Sequence, residues 1–246
     1  ELFLADSQHT AGDLKILAVI PQEKLEVILA GVNDKFSEDL SPAKIDTLLW
    51  KHQLQRDNFL LFIGVPDQRK NSRGMFSGLE IARRSLKKDL RLVIAGDIPD
   101  FLIQDLRRLQ QKLEIPQEAV MFTGYVTDEE LTALYKSAFA LLFPSLYEGF
   151  GFPIVEAMKA GLPVIAGRNS SQVEVSGDAA ILVDALNNEE IARAIVELYS
   201  NPGLRRELSD KGKIHCRQYT WEKVAAKTAQ YLLQYFGNKK GVRSNA

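Results

Sequence analysis

"AFALLFPSLYEGFGFPIVEAMKAGLPVIAG", Ala138 to Gly167, is the stretch on which the fold turns. It opens with an unbroken apolar run that ends at a proline. A Gly-aromatic-Gly-aromatic-Pro loop follows, then a segment of helical period, then a second apolar run. Strands buried on both faces of a parallel sheet are near-continuous hydrophobic runs, whereas strands with one wet face alternate. "AFALLFPS" and "PVIAG" therefore read as parallel strands, with "IVEAMKA" as a helix between them. Pro153 suits the first helical position, and Gly161 suits the residue just past the helix end.

Outward from that stretch the same alternation recurs. "FLLFIG", "LRLVIAG", "AVMFTG" and "AAILVD" are further apolar strand candidates, separated by amphipathic segments. Thr127 and Glu130 form a capping box ahead of the stripe Leu131, Leu134, Tyr135 and Ala138, and Ser171 and Glu174 form another ahead of a short helix that Gly177 ends. Strand–helix alternation of this kind predicts an α/β fold, a Rossmann-like doubly wound parallel sheet over residues 58–217. Earlier in the chain, residues 1–32 hold two strands, "LFLADS" and "KLEVILAGV", with a helix between them. Residues 33–57 are mostly polar, with a helical patch around "IDTLLWKHQL", and read as a link between two units. After Asp184 the pattern is helical to about Phe236, broken at Asn201-Pro202-Gly203. Residues 218–237 form the last helix, and the polar, basic tail 238–246 is expected to fray.

Composition narrows the function. Of 246 residues, 46 % are hydrophobic and 26 % charged, with a formal net charge of −1. That balance gives no field to draw the chain as a whole to nucleic acid or an acidic membrane. The single cysteine, Cys216, excludes an intramolecular disulfide and suits a reducing, cytoplasmic compartment. No apolar run has membrane-spanning length, and no signal peptide is legible. The chain opens on Glu1, directly in an apolar run, which reads as a cut within a larger protein.

The chemistry concentrates in "EGFGFP". In open α/β sheets, ligands bind at the carboxyl ends of the strands, where loops enter helix N-termini. Gly149 and Gly151 let the backbone approach a ligand, and the unpaired N–H groups of the first turn favour an anion such as phosphate. Two glutamates, Glu148 and Glu156, flank that loop with seven residues between them. Carboxylates repel phosphate but accept hydrogen bonds well from hydroxyls. The arrangement suits two polyol rings flanking phosphate, the shape of a nucleotide sugar. Either glutamate alone is also explained by the helix dipole, and one glycine pair is weak evidence; the spacing followed by "AGLPVIAG" is more specific.

The stretch "SLYEGFGFPIVEAMKAGLPVIAGRNSSQVEVSGDAAILVD" resembles the donor-site signature of retaining GT-B glycosyltransferases, the fourth family of that classification, also described as glycosyl transferases group 1. "FLLFIGVPDQRKN" resembles their first strand and basic loop, "FTGYVTDEELTALYKSA" their base-binding turn, and "QYTWEKVAAKTAQYLLQYF" their terminal crossover helix. "ADSQHTAGDL" and "EKLEVILAGVNDKF" resemble the end of their N-terminal domain. The resemblance implies the C-terminal, donor-binding half of a GT-B fold with a remnant of the N-terminal acceptor domain.

By that resemblance, Glu148 touches the donor hexose, Glu156 the ribose, and the N–H groups of Phe150, Gly151 and Phe152 face hexose and phosphates. Val126 holds the base through its backbone with Tyr125 or Asp128 nearby. Lys70 in the loop after Gly64 binds the diphosphate. Val65 stands where many members carry arginine, and Arg69 is the candidate to replace that charge. Catalysis falls to Glu148 and Lys70, with no cofactor and no required metal. The implied reaction moves a hexosyl group from a UDP-glucose or GDP-mannose type donor to a hydroxyl, with retention. The implied partners are that donor and a sugar or lipid-linked acceptor, with peripheral membrane contact through the absent domain and no nucleic acid. A sugar-nucleotide epimerase on the same architecture and a non-catalytic nucleotide-sugar-binding module are the alternatives. His9, His52 and His215 match no catalytic position and are expected at the surface or in the link.

Overall fold

The computed structural model of the chain describes residues 2–243, with side chains to residue 236. Its larger unit is a six-stranded sheet whose strands all run parallel. In chain order these are β3 (Phe59–Ile63), β4 (Arg91–Ala95), β5 (Val120–Phe122), β6 (Ala140–Phe143), β7 (Val164–Gly167) and β8 (Ala180–Val183). They lie side by side in the order β5-β4-β3-β6-β7-β8. The central runs have no solvent face: Leu60, Leu61, Phe62 and all of β6 are fully buried, while the edge strands β5 and β8 are partly exposed. Phe62 and Phe143 stack at 5.6 Å across the central β3–β6 pair, where Leu60 stands opposite Ala140 and Leu61 opposite Leu141.

Strand order reverses at that pair. From β3 the chain winds one way through α3 (Ser72–Leu86) to β4 and through α4 (Asp100–Lys112) to β5. It then returns by α5 (Asp128–Tyr135) to β6 and winds the other way through α6 (Phe152–Ala160) and α7 (Ser170–Ser176). Right-handed crossovers put the helices of the two directions on opposite faces, so the carboxyl ends of β3 and β6 open a crevice between them. The helix α8 (Asn188–Ser200) packs on α3, which Gly78 permits: a Cβ there would lie 2.5 Å from Ile191.

The smaller unit is β1 (Phe3–Ala5), α1 (Gln8–Leu17) and β2 (Leu25–Val27), two parallel strands and their helix around Ala5, Ala11 and Leu25. Residues 33–57, expected as a mostly polar link with one helical patch, are folded against the larger unit. They form a 3-10 turn at Asp34–Ser37 and α2 (Pro42–Lys51), and Phe36, Ile45, Leu49 and Leu54 join the large core. The carboxyl-terminal part holds α9 (Pro202–His215) and α10 (Trp221–Arg243), with the expected break at Asn201. The helix α10 continues to Arg243, so the residues expected to fray stay helical that far; 244–246 lie outside the described residues. Among the described residues, no helix is long and apolar enough to cross a membrane.

Several local expectations need correction. Pro153 is the second residue of α6, with Phe152 first and Gly151 as the N-cap. Gly161 ends α6 in the left-handed region at φ +78°, as a C-terminal glycine should. Ser171 and Glu174 do not cap α7, which begins after Asn169 without a side-chain cap; both reach across to other segments. The Thr127–Glu130 box is present in both directions.

Candidate functional site: the crevice between β3 and β6

Gly64 leaves β3 at φ +105°, a conformation a side chain would strain, while a Cβ there would meet open space. The loop that follows carries Arg69 and Lys70 and is bound to the loop after β6. Leu146 N–H donates to the Arg69 carbonyl at 2.8 Å. Asn71, in a left-handed conformation, uses its amide to donate to the carbonyls of Pro144 and Ala185, while its side-chain oxygen caps α3 through Gly74 N–H. This bracing fixes the direction of Lys70.

The Lys70 ammonium lies 2.6 Å from Glu148 Oε1 and 4.6 Å from the centroid of Phe143. Arg69 approaches Glu148 Oε2 at 3.4 Å, so both cations of the loop converge on one buried carboxylate. Glu148 N–H donates to Ser170 Oγ at 3.0 Å. Three carbonyls of the glycine loop are anchored: Ser171 Oγ lies 2.9 Å from those of Glu148 and Phe150, and Ser7 and Thr10 hold that of Gly149. Gly151 stands at φ +98° as α6 begins. The N–H groups of Phe150, Gly151 and Phe152 take part in none of the hydrogen bonds found among the described residues. Free donors at a helix N-terminus favour an anion, and here they lie beside two cations that are paired with Glu148.

Glu156 sits one turn into α6, where Tyr135 Oη donates to its Oε2 at 2.7 Å. Burial raises its carboxyl above the ordinary value near 4.5, against the opposing pull of the Tyr135 bond and Lys35. Burial, reinforced by the charge of Glu156, also holds the Tyr135 hydroxyl well above its usual range, so it is a permanent donor. Lys35 in turn pairs with Asp128 at 2.8 Å. Val126 is half-buried against the core, and Tyr125 is 76 % exposed beside it, free to lie over a flat group.

The structure thus brings Arg69, Lys70 and Glu148 into one cluster and places Glu156 with Tyr135, Lys35 and Asp128. Phe150 has a buried ring, packed edge-on to Tyr219 at 5.6 Å, while the Phe152 ring is 42 % exposed. Sequence reasoning passed over Tyr135, Lys35, Ser7 and Thr10. Only Tyr135 carried a signal, as an aromatic within the stripe of α5. Of the histidines, His215 is half-buried, 3.0 Å from the Val175 carbonyl with its ring tilted against Tyr219, and His52 lies in segment 33–57, half-buried beside Glu130. His9 packs against Tyr147 with ring centroids 5.5 Å apart. Among the described residues, no cluster of three His, Cys, Asp or Glu side chains could hold a metal. A separate cavity of about 440 Å³, beside the far end of α6, is lined by Lys136, Lys159 and Lys213. Lys159 there is already bound to Asp34 and to the Val32 carbonyl.

The chain is a doubly wound α/β protein with two recessed carboxylates and a basic loop at its switch point, the place where open α/β sheets bind ligands. The chain belongs to the glycosyl transferases group 1 family, whose model matches residues 44–215. It is 31 % identical over 191 residues to the O-antigen chain mannosyltransferase B of Escherichia coli, covering 76 % of this chain and 49 % of that protein. Against the serotype-specific mannosyltransferase WbdA of Escherichia coli, identity is 26 % over 226 residues, covering 92 % of this chain and 28 % of that one. The chain therefore spans half or less of these relatives. Its structure is similar to a glycosyltransferase from Rickettsia africae ESF-5, with TM-score 0.86, 20 % identity and coverage of 97 % and 64 %. It is also similar to Anabaena HepE in complex with UDP and glucose, with TM-score 0.80, 20 % identity and coverage of 94 % and 62 %. These likenesses establish a Rossmann-like fold of the GT-B kind.

Proposed function

We propose that this chain is the donor-binding half of a retaining hexosyltransferase that uses a UDP-glucose or GDP-mannose type donor. The observation that carries the reading is the convergence of Lys70 and Arg69 on Glu148 beside the unpaired N–H groups at the start of α6. The nucleoside diphosphate lies along those donors, with ribose hydroxyls on Glu156 and hexose hydroxyls on Glu148. The base rests at Val126, with Tyr125 covering it. Transfer breaks the bond from the anomeric carbon to the β-phosphate oxygen, which keeps the electron pair, and makes one to the acceptor hydroxyl oxygen, whose proton passes to the departing diphosphate. Negative charge grows on the departing diphosphate, and Lys70, Arg69 and the α6 N-terminus stabilise it. Glu148 holds Lys70 while the site is empty; on binding, Lys70 is shared with phosphate and Glu148 turns to the sugar.

These cations and N–H groups supply the positive charge, so no divalent ion is needed. The acceptor, sugar or lipid-linked, belongs to a second domain that completes the cleft, together with any peripheral membrane contact. The enzyme acts in the cytoplasm. The test is calorimetry of this chain with UDP, GDP, UDP-glucose and GDP-mannose, with and without chelator. Chelator-insensitive binding of one base family supports the reading. No binding at millimolar concentration, or binding that needs metal, refutes it.

A further inference from the structure

Two hydroxyls from the small amino-terminal unit hold one carbonyl of the glycine loop. Ser7 Oγ lies 2.6 Å from the Gly149 carbonyl oxygen and Thr10 Oγ1 lies 3.0 Å from it, across 142 and 139 residues of sequence. The two hydroxyls also lie 3.0 Å from each other, so they and the Gly149 carbonyl form one hydrogen-bonded cluster. Ser7 is fully buried and is also the N-cap of α1, accepting from Thr10 N–H, so its position is set by the helix. The helix is pinned in turn. Gln8 N–H donates to the Glu174 carboxylate at 2.8 Å, and Tyr147, two residues before Gly149, bonds Asp13 of α1.

The consequence lies on the other side of the peptide plane. A trans peptide points its N–H opposite to its C=O, so anchoring the Gly149 carbonyl on α1 turns the Phe150 N–H away from α1. That N–H takes part in none of the hydrogen bonds among the described residues, and it belongs to the loop between Glu148 and α6. We propose that Ser7 and Thr10 are positioning residues, which fix the Gly149–Phe150 peptide so that the Phe150 N–H donates to the diphosphate–hexose part of the donor. The proposal rests on the donor-site reading above. It makes donor affinity depend on a segment that contributes no group to the donor itself.

The experiment compares Thr10→Val, Thr10→Ser and Ser7→Ala in this chain. Affinities for a nucleoside, its diphosphate and its sugar diphosphate are measured by calorimetry, with the Gly149 carbonyl carbon and Phe150 amide followed by NMR. Thr10→Val should weaken the diphosphate and the sugar diphosphate by about three- to tenfold and leave the nucleoside unchanged, the effect of one neutral hydrogen bond. Thr10→Ser, which keeps the hydroxyl, should restore affinity, and the Gly149 carbonyl signal should move in Thr10→Val alone of the pair. Ser7→Ala should act in the same direction; because it also loses the α1 cap, Thr10→Val decides if Ser7→Ala fails to fold. Wild-type affinity of Thr10→Val for the diphosphates, with the carbonyl signal moved, would overturn the positioning role while leaving the donor site intact. Equal weakening of the nucleoside would also overturn it, as general loosening. Absence of binding by the wild type would remove the proposal together with the donor-site reading.

Discussion

Replacing Glu156 by glutamine separates a ligand-binding carboxylate from a structural one. In the free protein the substitution loses no contact, since the glutamine oxygen can accept the same Tyr135 hydrogen bond that Glu156 Oε2 receives at 2.7 Å. What changes is charge. Burial holds the Glu156 carboxyl above its ordinary value near 4.5, so the folded protein binds that proton more tightly than the unfolded chain. The stability this proton contributes is complete below about 4.5 and is lost as pH rises through the higher folded value. Glu156→Gln should therefore match the wild-type melting temperature near pH 4 and equal or exceed it at pH 7. Ribose hydroxyls, however, would lose a charged acceptor for a neutral one, a difference of about 1–2 kcal/mol. Nucleoside diphosphate affinity should fall about five- to thirtyfold at pH 7. A 2′,3′-dideoxy nucleotide should bind the wild type weakly and lose little more in the variant. Calorimetry and thermal melts between pH 4 and 8 give both readouts. A variant that melts lower at pH 7 yet binds nucleotide like the wild type would show that Glu156 only supports α6, and the assignment would fail.

Lys70→Met should abolish most diphosphate affinity and also destabilise the free protein by about 1–3 kcal/mol, because Glu148 would stay buried with only the more distant Arg69. Adding Glu148→Gln should restore the melting temperature but not the affinity, which denaturation and calorimetry on the double variant would check. Thr127→Ala should cost about 1 kcal/mol in denaturant melts by breaking the cap of α5. Lys51 and then the Thr127 N–H hold the Glu130 carboxyl down to about 2, so its contribution is present above 4.5 and disappears as pH falls toward 2; Glu130→Gln should flatten that acid limb. Gly31→Ala would place a Cβ 2.7 Å from the Trp221 backbone nitrogen, and about 1–3 kcal/mol of destabilisation is expected in urea titrations.

Much of the fold was legible because parallel strands buried on both faces leave the plainest mark a sequence can carry. All six apolar runs from "FLLFIG" to "AAILVD" became strands. The segment 33–57 was harder to read because four buried side chains, Phe36, Ile45, Leu49 and Leu54, are spread through polar residues, and their burial comes from α5 and α6. Ser171 resembled an N-cap because capping and tertiary anchoring use the same hydroxyl chemistry; its Oγ is taken by two carbonyls of the glycine loop. The two glutamates and the basic loop stood out locally, within a strand-to-helix turn. Tyr135 fitted the apolar stripe of α5, and nothing in that pattern marks where its hydroxyl goes. The clasp of Ser7 and Thr10 on Gly149 joins residues more than a hundred positions apart, beyond the reach of any local pattern.

The most direct measurement is diffraction from crystals of this chain grown with UDP-glucose or GDP-mannose in the presence of chelator. Donor density should lie in the β3–β6 crevice, with diphosphate on Lys70 and the first turn of α6, ribose on Glu156 and hexose on Glu148. Well-defined nucleotide elsewhere, with Lys70 still closed on Glu148, would contradict the account.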